Sequence, residues 1–222
     1  MRKLVLTNDG SHTVYDDERK AHFHSIHGAI TESLHVFIEN GLKRVATKEY
    51  PLSVLEIGFG TGLNAFLTYL YESKLISSGI EYTAIENDPI PLDLVDQLNY
   101  SSLIPTGMSD LSIMDLHQLP WNQKLVLNSH FTLQKIKADF QSWQCDEKFD
   151  VVYMDAFAPE DQPELWTFDT FVKLSKMMRQ GGLLTTYCAK GNFRRTLKSA
   201  GFITESLPGP PGKREMTIGL KL

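Results

Sequence analysis

The segment Val54-Leu55-Glu56-Ile57-Gly58-Phe59-Gly60-Thr61-Gly62-Leu63-Asn64 sets three glycines in alternation where an apolar stretch hands over to helical spacing. Glycines at such a junction allow a tight turn, let a ligand lie against the backbone and aim unpaired helix N–H groups at it. A nicotinamide dinucleotide would use the same device, so the loop alone leaves the ligand open. The carboxylates that follow narrow the choice. Glu56 lies inside the loop motif, Glu86 ends a second apolar stretch, Asp139 follows a third and Asp155 a fourth. In an open α/β sheet those ends face one crevice. Glu86 is suited there to accept hydrogen bonds from two ribose hydroxyls and Asp139 to accept from an adenine amine. Glu56 would attract an ammonium at a place where a pyrophosphate would be repelled.

The elements that must position these acids alternate strand and helix, the pattern of a parallel sheet with crossover helices. Residues 52–57 predict a strand, and Leu63, Phe66, Leu67 and Leu70 then recur at helical spacing. Residues 82–86, 131–136, 149–154 and 183–187 predict further strands. Helices are expected after Pro91, over 167–178 with a stop at Gly181-Gly182, and over 192–200 with a stop at Gly201. Residues 202–207 and 215–220 read as paired closing strands around the Pro-Gly-Pro-Pro-Gly turn at 208–212. Ahead of the core, residues 3–7 and 13–15 predict a hairpin across Asn8-Asp9-Gly10-Ser11. A helix over 30–40 is expected to close at Gly41. Residues 101–130 carry no clear period and read as an insertion, a candidate cap over the site. The whole is expected to be one domain, with 1–50 an extension and 51–222 the core.

This pattern of loop and strand-end acids resembles that of Rossmann-like methyltransferases that use S-adenosylmethionine, including their antiparallel closing strand. A second segment makes the resemblance narrower. Asp155-Ala156-Phe157-Ala158-Pro159, followed by Pro163-Glu164-Leu165-Trp166, resembles the methyltransferase half of the bacterial tRNA 5-methylaminomethyl-2-thiouridine biosynthesis enzymes, the MnmC type. Gly191-Asn192-Phe193-Arg194-Arg195-Thr196-Leu197 and Gly212-Lys213-Arg214-Glu215-Met216 are similar to that family's tail motifs, and residues 32–37 to its Glu-x-x-x-Val-Phe helix. The family has Gly where Ala156 stands, which narrows the pocket, and its N-terminal acidic-aromatic segment is poorly matched by residues 18–24. These 222 residues contain no counterpart of that family's flavin-dependent oxidase half. The resemblance therefore implies the methylating step alone, with any carboxymethyl group removed upstream by a separate oxidase. Its implied substrate is the 5-aminomethyl group of a (2-thio)uridine at the tRNA wobble position.

Methyl transfer from a sulfonium to an amine is an in-line displacement that needs alignment more than acid catalysis. The amine must be neutral, because an ammonium has no lone pair. Asp155 is the candidate catalytic residue, either accepting a proton or orienting the amine. Gly58, Gly60, Thr61, Gly62 and Asn64, with Glu56, Glu86, Asp139 and Asp155, are the candidate cofactor contacts. Phe157 and Trp166 are candidate stacking partners for an extruded base. Arg194, Arg195, Lys213 and Arg214 are candidate phosphate contacts in the anticodon region.

Composition sets the outer bounds. The chain has 222 residues and a net charge of −5, so no global basic field draws in nucleic acid, yet residues 190–222 carry seven Lys or Arg against two Glu. Two cysteines, Cys145 and Cys188, suit a reducing cytoplasm better than a disulfide framework. Asn8 and Asp9 interrupt the first residues short of a signal-peptide core, and no run approaches a membrane span. His22, His24 and His27 have metal-compatible spacing, but methyl transfer needs no metal and none is expected. Asp16-Asp17-Glu18 reads as a solvated acidic run. The rival readings are an NAD-dependent oxidoreductase, which leaves the Asp155 segment without a role, and a methyl- or aminopropyl-transferase acting on a small amine.

Overall fold

The computed structural model describes residues 1–46, 50–76, 78–104 and 111–222. At the N-terminus β1 (Arg2–Leu6), β2 (His12–Asp16) and the short β3 (Ala21–His22) form a three-stranded antiparallel sheet. Its first turn is the expected one, with Gly10 at φ +81°. Asp9 ties that turn to the following helix by accepting from the N–H and hydroxyl of Thr31. The helix starts as α1 (Ala29–Ser33), widens to a π-helix over Leu34–Leu42 and ends as α2 (Lys43–Val45).

Gly41 therefore does not close this helix, contrary to the sequence expectation. A Cβ there would stand 3.0 Å from Thr185 Cγ2 and 3.1 Å from Tyr153 Cε1. The glycine lets the helix lie close on the sheet. A π-turn frees backbone groups from the regular ladder, and the Thr185 hydroxyl donates to one of them, the Val36 carbonyl, at 2.9 Å.

The core follows the predicted alternation: β4 (Leu52–Ile57), α3 (Leu63–Leu75), β5 (Ile80–Glu86), α4 (Leu92–Val95), α5 (Tyr100–Leu103), α6 (Ile113–Gln118), β6 (Lys124–Asn128), β7 (Phe131–Lys137) and β8 (Phe149–Met154). A 3-10 turn (Pro163–Trp166), α7 (Phe168–Met177), β9 (Met178–Thr186), α8 (Gly191–Ser199), β10 (Phe202–Pro208) and β11 (Glu215–Lys221) complete it. The eight strands run in the order β10-β11-β9-β8-β4-β5-β7-β6. Pairings from β9 through β7 are parallel, β11 runs antiparallel to β9 as expected, and β6 adds an antiparallel edge that the sequence did not signal. Gly181 and Gly182 sit inside β9, so they do not stop α7. Instead the β8–β9 register shifts between Phe149 and Val151, and Gly182 packs where a Cβ would meet the Arg179 carbonyl at 2.9 Å.

Every residue of β4 and β8 is buried. Leu52 and Val54 belong to one core layer and Leu55 and Ile57 to the other, so the sheet is covered on both faces. Strand order reverses at β4: β5 follows on one side and β8 lies on the other. That reversal opens a crevice beyond the carboxyl end of β4, where an open α/β sheet takes its ligand.

Candidate active site

The crevice beyond β4 is floored by Gly58 to Thr61 and walled by Glu86, Asp139 and Asp155. Gly58 adopts φ +94° and lies so close to β8 that a Cβ would stand 2.7 Å from the Asp155 carbonyl oxygen. Glu86, ending β5, is fixed at both oxygens, accepting from the Gly60 N–H at 3.0 Å and the Asp88 N–H at 2.9 Å. Asp139, exposed just past β7, accepts from the Gln141 N–H. Glu56 is fully buried behind the loop rather than in the wall of the crevice. Asn64, on α3, bridges it to Asp155, donating to Glu56 Oε1 at 3.0 Å and to Asp155 Oδ2 at 2.7 Å. Burial, then the charge of Asp155, push the Glu56 carboxyl well above the usual carboxylate range.

The loop is clamped from two sides. His24 Nε2 lies 2.7 Å from the Thr61 hydroxyl, and His117 Nε2 donates to the Thr61 carbonyl at 2.9 Å. Burial lowers both imidazoles to about 4, so both are neutral at physiological pH. His117 comes from the segment expected to cap the site. The described residues of that segment do the opposite: they back the loop, with Phe59 packed on His117 and Trp121, and none lines the crevice. Lys135 secures this backing, donating to the His117 carbonyl at 2.8 Å beneath the Trp121 ring.

The N-terminal sheet roofs the crevice. Arg2 ion-pairs with Asp16 and Asp88 and lies over Phe23; Phe23 meets Phe157 edge-on at 4.9 Å, and Arg19 covers the Phe157 ring. Beyond Phe23 and His24 a second, more open crevice begins, lined by Glu32, Tyr187, Lys190, Lys213 and Arg214 among others. Asp155 lines the first crevice, within reach of the Glu32 and Lys213 charges of the second. Burial first, then the nearby Glu32 charge, hold its carboxyl well above the usual carboxylate range, against the Asn64 hydrogen bond and Lys213.

Known proteins place this geometry. A family of S-adenosyl-L-methionine-dependent methyltransferases matches residues 113–222, which include the Asp155 and Lys213 segments. Those residues, just under half of the chain, are similar to this methyltransferase family. The bifunctional tRNA 5-methylaminomethyl-2-thiouridine biosynthesis protein MnmC of Pseudomonas entomophila is 30% identical over 93% of the chain, and that of Cupriavidus metallidurans 29% over 96%. The chain spans about one third of these relatives' length, 34% and 33%. Among solved structures, MnmC2 from Aquifex aeolicus superposes with a TM-score of 0.74 at 23% identity, covering 99% of this chain and 70% of that one, which shows the shared fold.

The sequence-predicted cofactor contacts and Phe157 fall into two groups. Gly58, Gly60, Thr61, Glu86, Asp139, Asp155 and Phe157 come together around the first crevice. Gly62, Glu56 and Asn64 stand behind it: Gly62 caps α3 and packs on Phe59 and His117, where a Cβ would come within 3.0 Å of each. Trp166 faces neither crevice. It is buried among Phe171, Tyr187 and Phe193 and donates its indole N–H to the Phe157 carbonyl at 2.7 Å. Trp166→Phe should therefore cost about 1–3 kcal/mol of stability in urea unfolding while cofactor affinity stays within about twofold. A variant as stable as the parent but catalytically impaired would return Trp166 to the substrate.

Arg194 is also committed internally, binding Glu215, Ser206 and Thr217 and tying α8 to the closing strands, so it is not a free phosphate contact. Arg195 and Arg214 are exposed, whereas Lys213 turns inward to Glu32. The histidine trio does not converge: His22 packs on Tyr15, His24 meets Thr61 and His27 meets Asn8. Arg2, Arg19, Phe23, His24, Glu32 and Tyr187 were missed as site residues. Their only sequence signal was the tail and helix similarity carried by Glu32 and the Lys213 segment.

The donor set fits S-adenosyl-L-methionine. Glu86 is anchored through backbone N–H groups that leave lone pairs for ribose hydroxyls. Glu56, buried behind the loop, does not reach the crevice and acts on it through Asn64. No described helix is long and apolar enough to cross a membrane.

Proposed function

We propose that this chain transfers a methyl group from S-adenosyl-L-methionine to the nitrogen of a 5-aminomethyl group on a tRNA wobble uridine. The observation that carries the reading is the position of Asp155, a half-buried carboxylate in the loop-floored crevice that feels the charges of Glu32 and Lys213, which line the open crevice beside it. The names of the relatives support the choice of substrate. In this reading Glu86 accepts from the ribose hydroxyls, Asp139 from the adenine edge, and the backbone of Gly58, Gly60 and Thr61 lies along the rest of the cofactor. The cofactor supplies an electrophilic methyl on a sulfonium.

The protein's own work is alignment and proton control. Asp155 accepts a hydrogen bond from the substrate amine and holds its lone pair in line. The proton that the secondary ammonium must lose passes to Asp155 or to solvent. The roof of Arg2, Arg19, Phe23 and Phe157 excludes water from the reacting centre, and Phe157 offers its ring to the extruded base. Arg214, lining the open crevice, and the exposed Arg195 of α8 are the contacts for the anticodon phosphates, and an oxidase on another chain would act upstream where a carboxymethyl group must be removed.

The test is methyl transfer from labelled S-adenosyl-L-methionine to bulk tRNA from cells lacking this protein, followed by nucleoside analysis. Label is expected on a methylaminomethyl uridine. Absence of label in tRNA, with cofactor binding confirmed by calorimetry, would move the substrate to another amine.

A further inference from the structure

Within electrostatic reach of Asp155 lies an ion pair that methyl transfer as such does not call for. Glu32 is buried, its Oε2 accepting from the Ser25 N–H at 2.8 Å and its Oε1 from Lys213 Nζ at 2.6 Å. Lys213 Nζ also sits 3.9 Å from the centroid of the Tyr187 ring. The turn that carries Lys213 is held rigidly. His35 donates to the Pro208 carbonyl, the Lys213 N–H donates to the Pro210 carbonyl, and Gly212 lies so close to His27 that a Cβ would come within 2.0 Å of the ring. Lys213 is thus aimed by its backbone, unlike a surface lysine. Burying a carboxylate and an ammonium costs desolvation that their attraction offsets only in part, so a pair kept for stability alone is poorly motivated.

Both groups line the open crevice. Side by side they present one acceptor and one donor. The edge of uracil presents the complement, a donating N3–H beside an accepting O4, whereas cytosine presents an accepting N3 beside a donating N4. Position also agrees. C5 of a pyrimidine is bonded to C4, so a substituent on C5 stands next to O4, and whatever holds O4 must neighbour whatever handles the amine. Glu32 and Lys213 both act electrostatically on Asp155, and Tyr187 beneath Lys213 donates its hydroxyl to the carbonyl of Ala156, the next residue.

We infer that Glu32 and Lys213 read the Watson–Crick edge of the substrate base, Glu32 accepting from N3–H and Lys213 donating to O4, and thereby select uracil over cytosine. The inference rests on the uridine reading above. Glu32 Oε1 keeps a second lone pair for N3–H beside its bond to Lys213, and Lys213 keeps further N–H donors for O4.

The experiment compares anticodon stem-loop RNAs carrying, at the wobble position, 5-aminomethyluridine, 5-aminomethylcytidine or 3-methyl-5-aminomethyluridine. With the unmodified enzyme, kcat/KM is expected to fall roughly ten- to hundredfold on the cytidine and on the N3-blocked uridine. Equal rates on all three overturn the inference and leave the uridine reading standing; no methylation of any, with cofactor bound, overturns both. Lys213→Met should draw the uridine-to-cytidine ratio toward one while cofactor affinity stays within about twofold. A uniform loss with the ratio preserved would make the pair structural and also overturn the inference. Glu32→Gln should narrow the ratio likewise; if that buried change prevents folding, Lys213→Met and the substrate series decide alone.

Discussion

Asp155→Asn is expected to lower turnover by roughly 10²–10⁴ while S-adenosyl-L-methionine still binds within a few fold of the parent. The replacement keeps volume and an acceptor oxygen for Asn64, which donates to Asp155 Oδ2 at 2.7 Å. It removes the charge and the proton acceptor. The pH profile should change with it. Burial, then Glu32, raise Asp155, and burial, then Asp155, raise Glu56, so the two carboxyls titrate as a pair. Only ionised Asp155 can take a proton from the amine. The parent's turnover should therefore climb as pH rises through the raised range, and the limb owed to Asp155 should vanish in the variant.

Stability supplies an independent sign. A carboxyl raised in the folded state keeps its proton after the unfolded chain has released one, so its stabilising contribution is complete below the ordinary carboxylate range. That contribution is lost as pH rises through the folded value. Asp155→Asn should flatten this fall, leaving the variant more stable than the parent above that range in thermal melts of the cofactor-free protein. Unchanged turnover with bound cofactor would take Asp155 out of the chemistry, and an unchanged slope of Tm with pH would contradict its raised titration.

Gly58→Ala is the second large effect. Gly58 combines φ +94° with an approach of 2.7 Å between the missing Cβ and the Asp155 carbonyl oxygen. Neither can be relieved by turning a side chain, because both partners are backbone. The Gly58 N–H donates to the Ile85 carbonyl at 3.0 Å and the Asp155 N–H to the Ile57 carbonyl at 3.1 Å, so the ends of three strands meet there. The substitution should cost about 2–4 kcal/mol in urea unfolding and weaken cofactor binding by ~100-fold. At Gly60 an added Cβ would meet only the movable Phe23 ring, at 3.1 Å, so Gly60→Ala should be the milder of the two. Near-parental cofactor affinity in Gly58→Ala would show that the loop backbone does not contact the ligand.

What the sequence made legible was local. β4 begins and ends where its apolar run does, and the acids at strand ends reach one crevice because a parallel sheet aligns its carboxyl ends. What it hid was tertiary. Gly41 and Gly181-Gly182 look like helix stops, but Gly41 is required by Tyr153 and Thr185, residues more than a hundred positions away, and Gly182 by a shift in strand register. Trp166 and Arg194 have the residue types of a recognition surface, and only their partners reveal them as core and brace. Glu32 had the reverse disguise. On a helix its position reads as ordinary, and its burial against Lys213 depends on a turn at the far end of the chain.

That last contact bears on the order in which the protein becomes competent. Glu56, the glycine loop, Glu86 and Asp155 all come from β4 through the residue after β8. Glu32 and Lys213 meet across 181 positions, and His35 meets the Pro208 carbonyl across 173. Closing so long a loop costs more chain entropy than closing the shorter ones inside the core, and contacts of great sequence separation are reached late in folding. The half of the site that holds the methyl donor can therefore take shape before the half that receives the acceptor. On the proposed reading, this clasp between residues 32 and 213 is the last part of the site to form, and base selection waits for it.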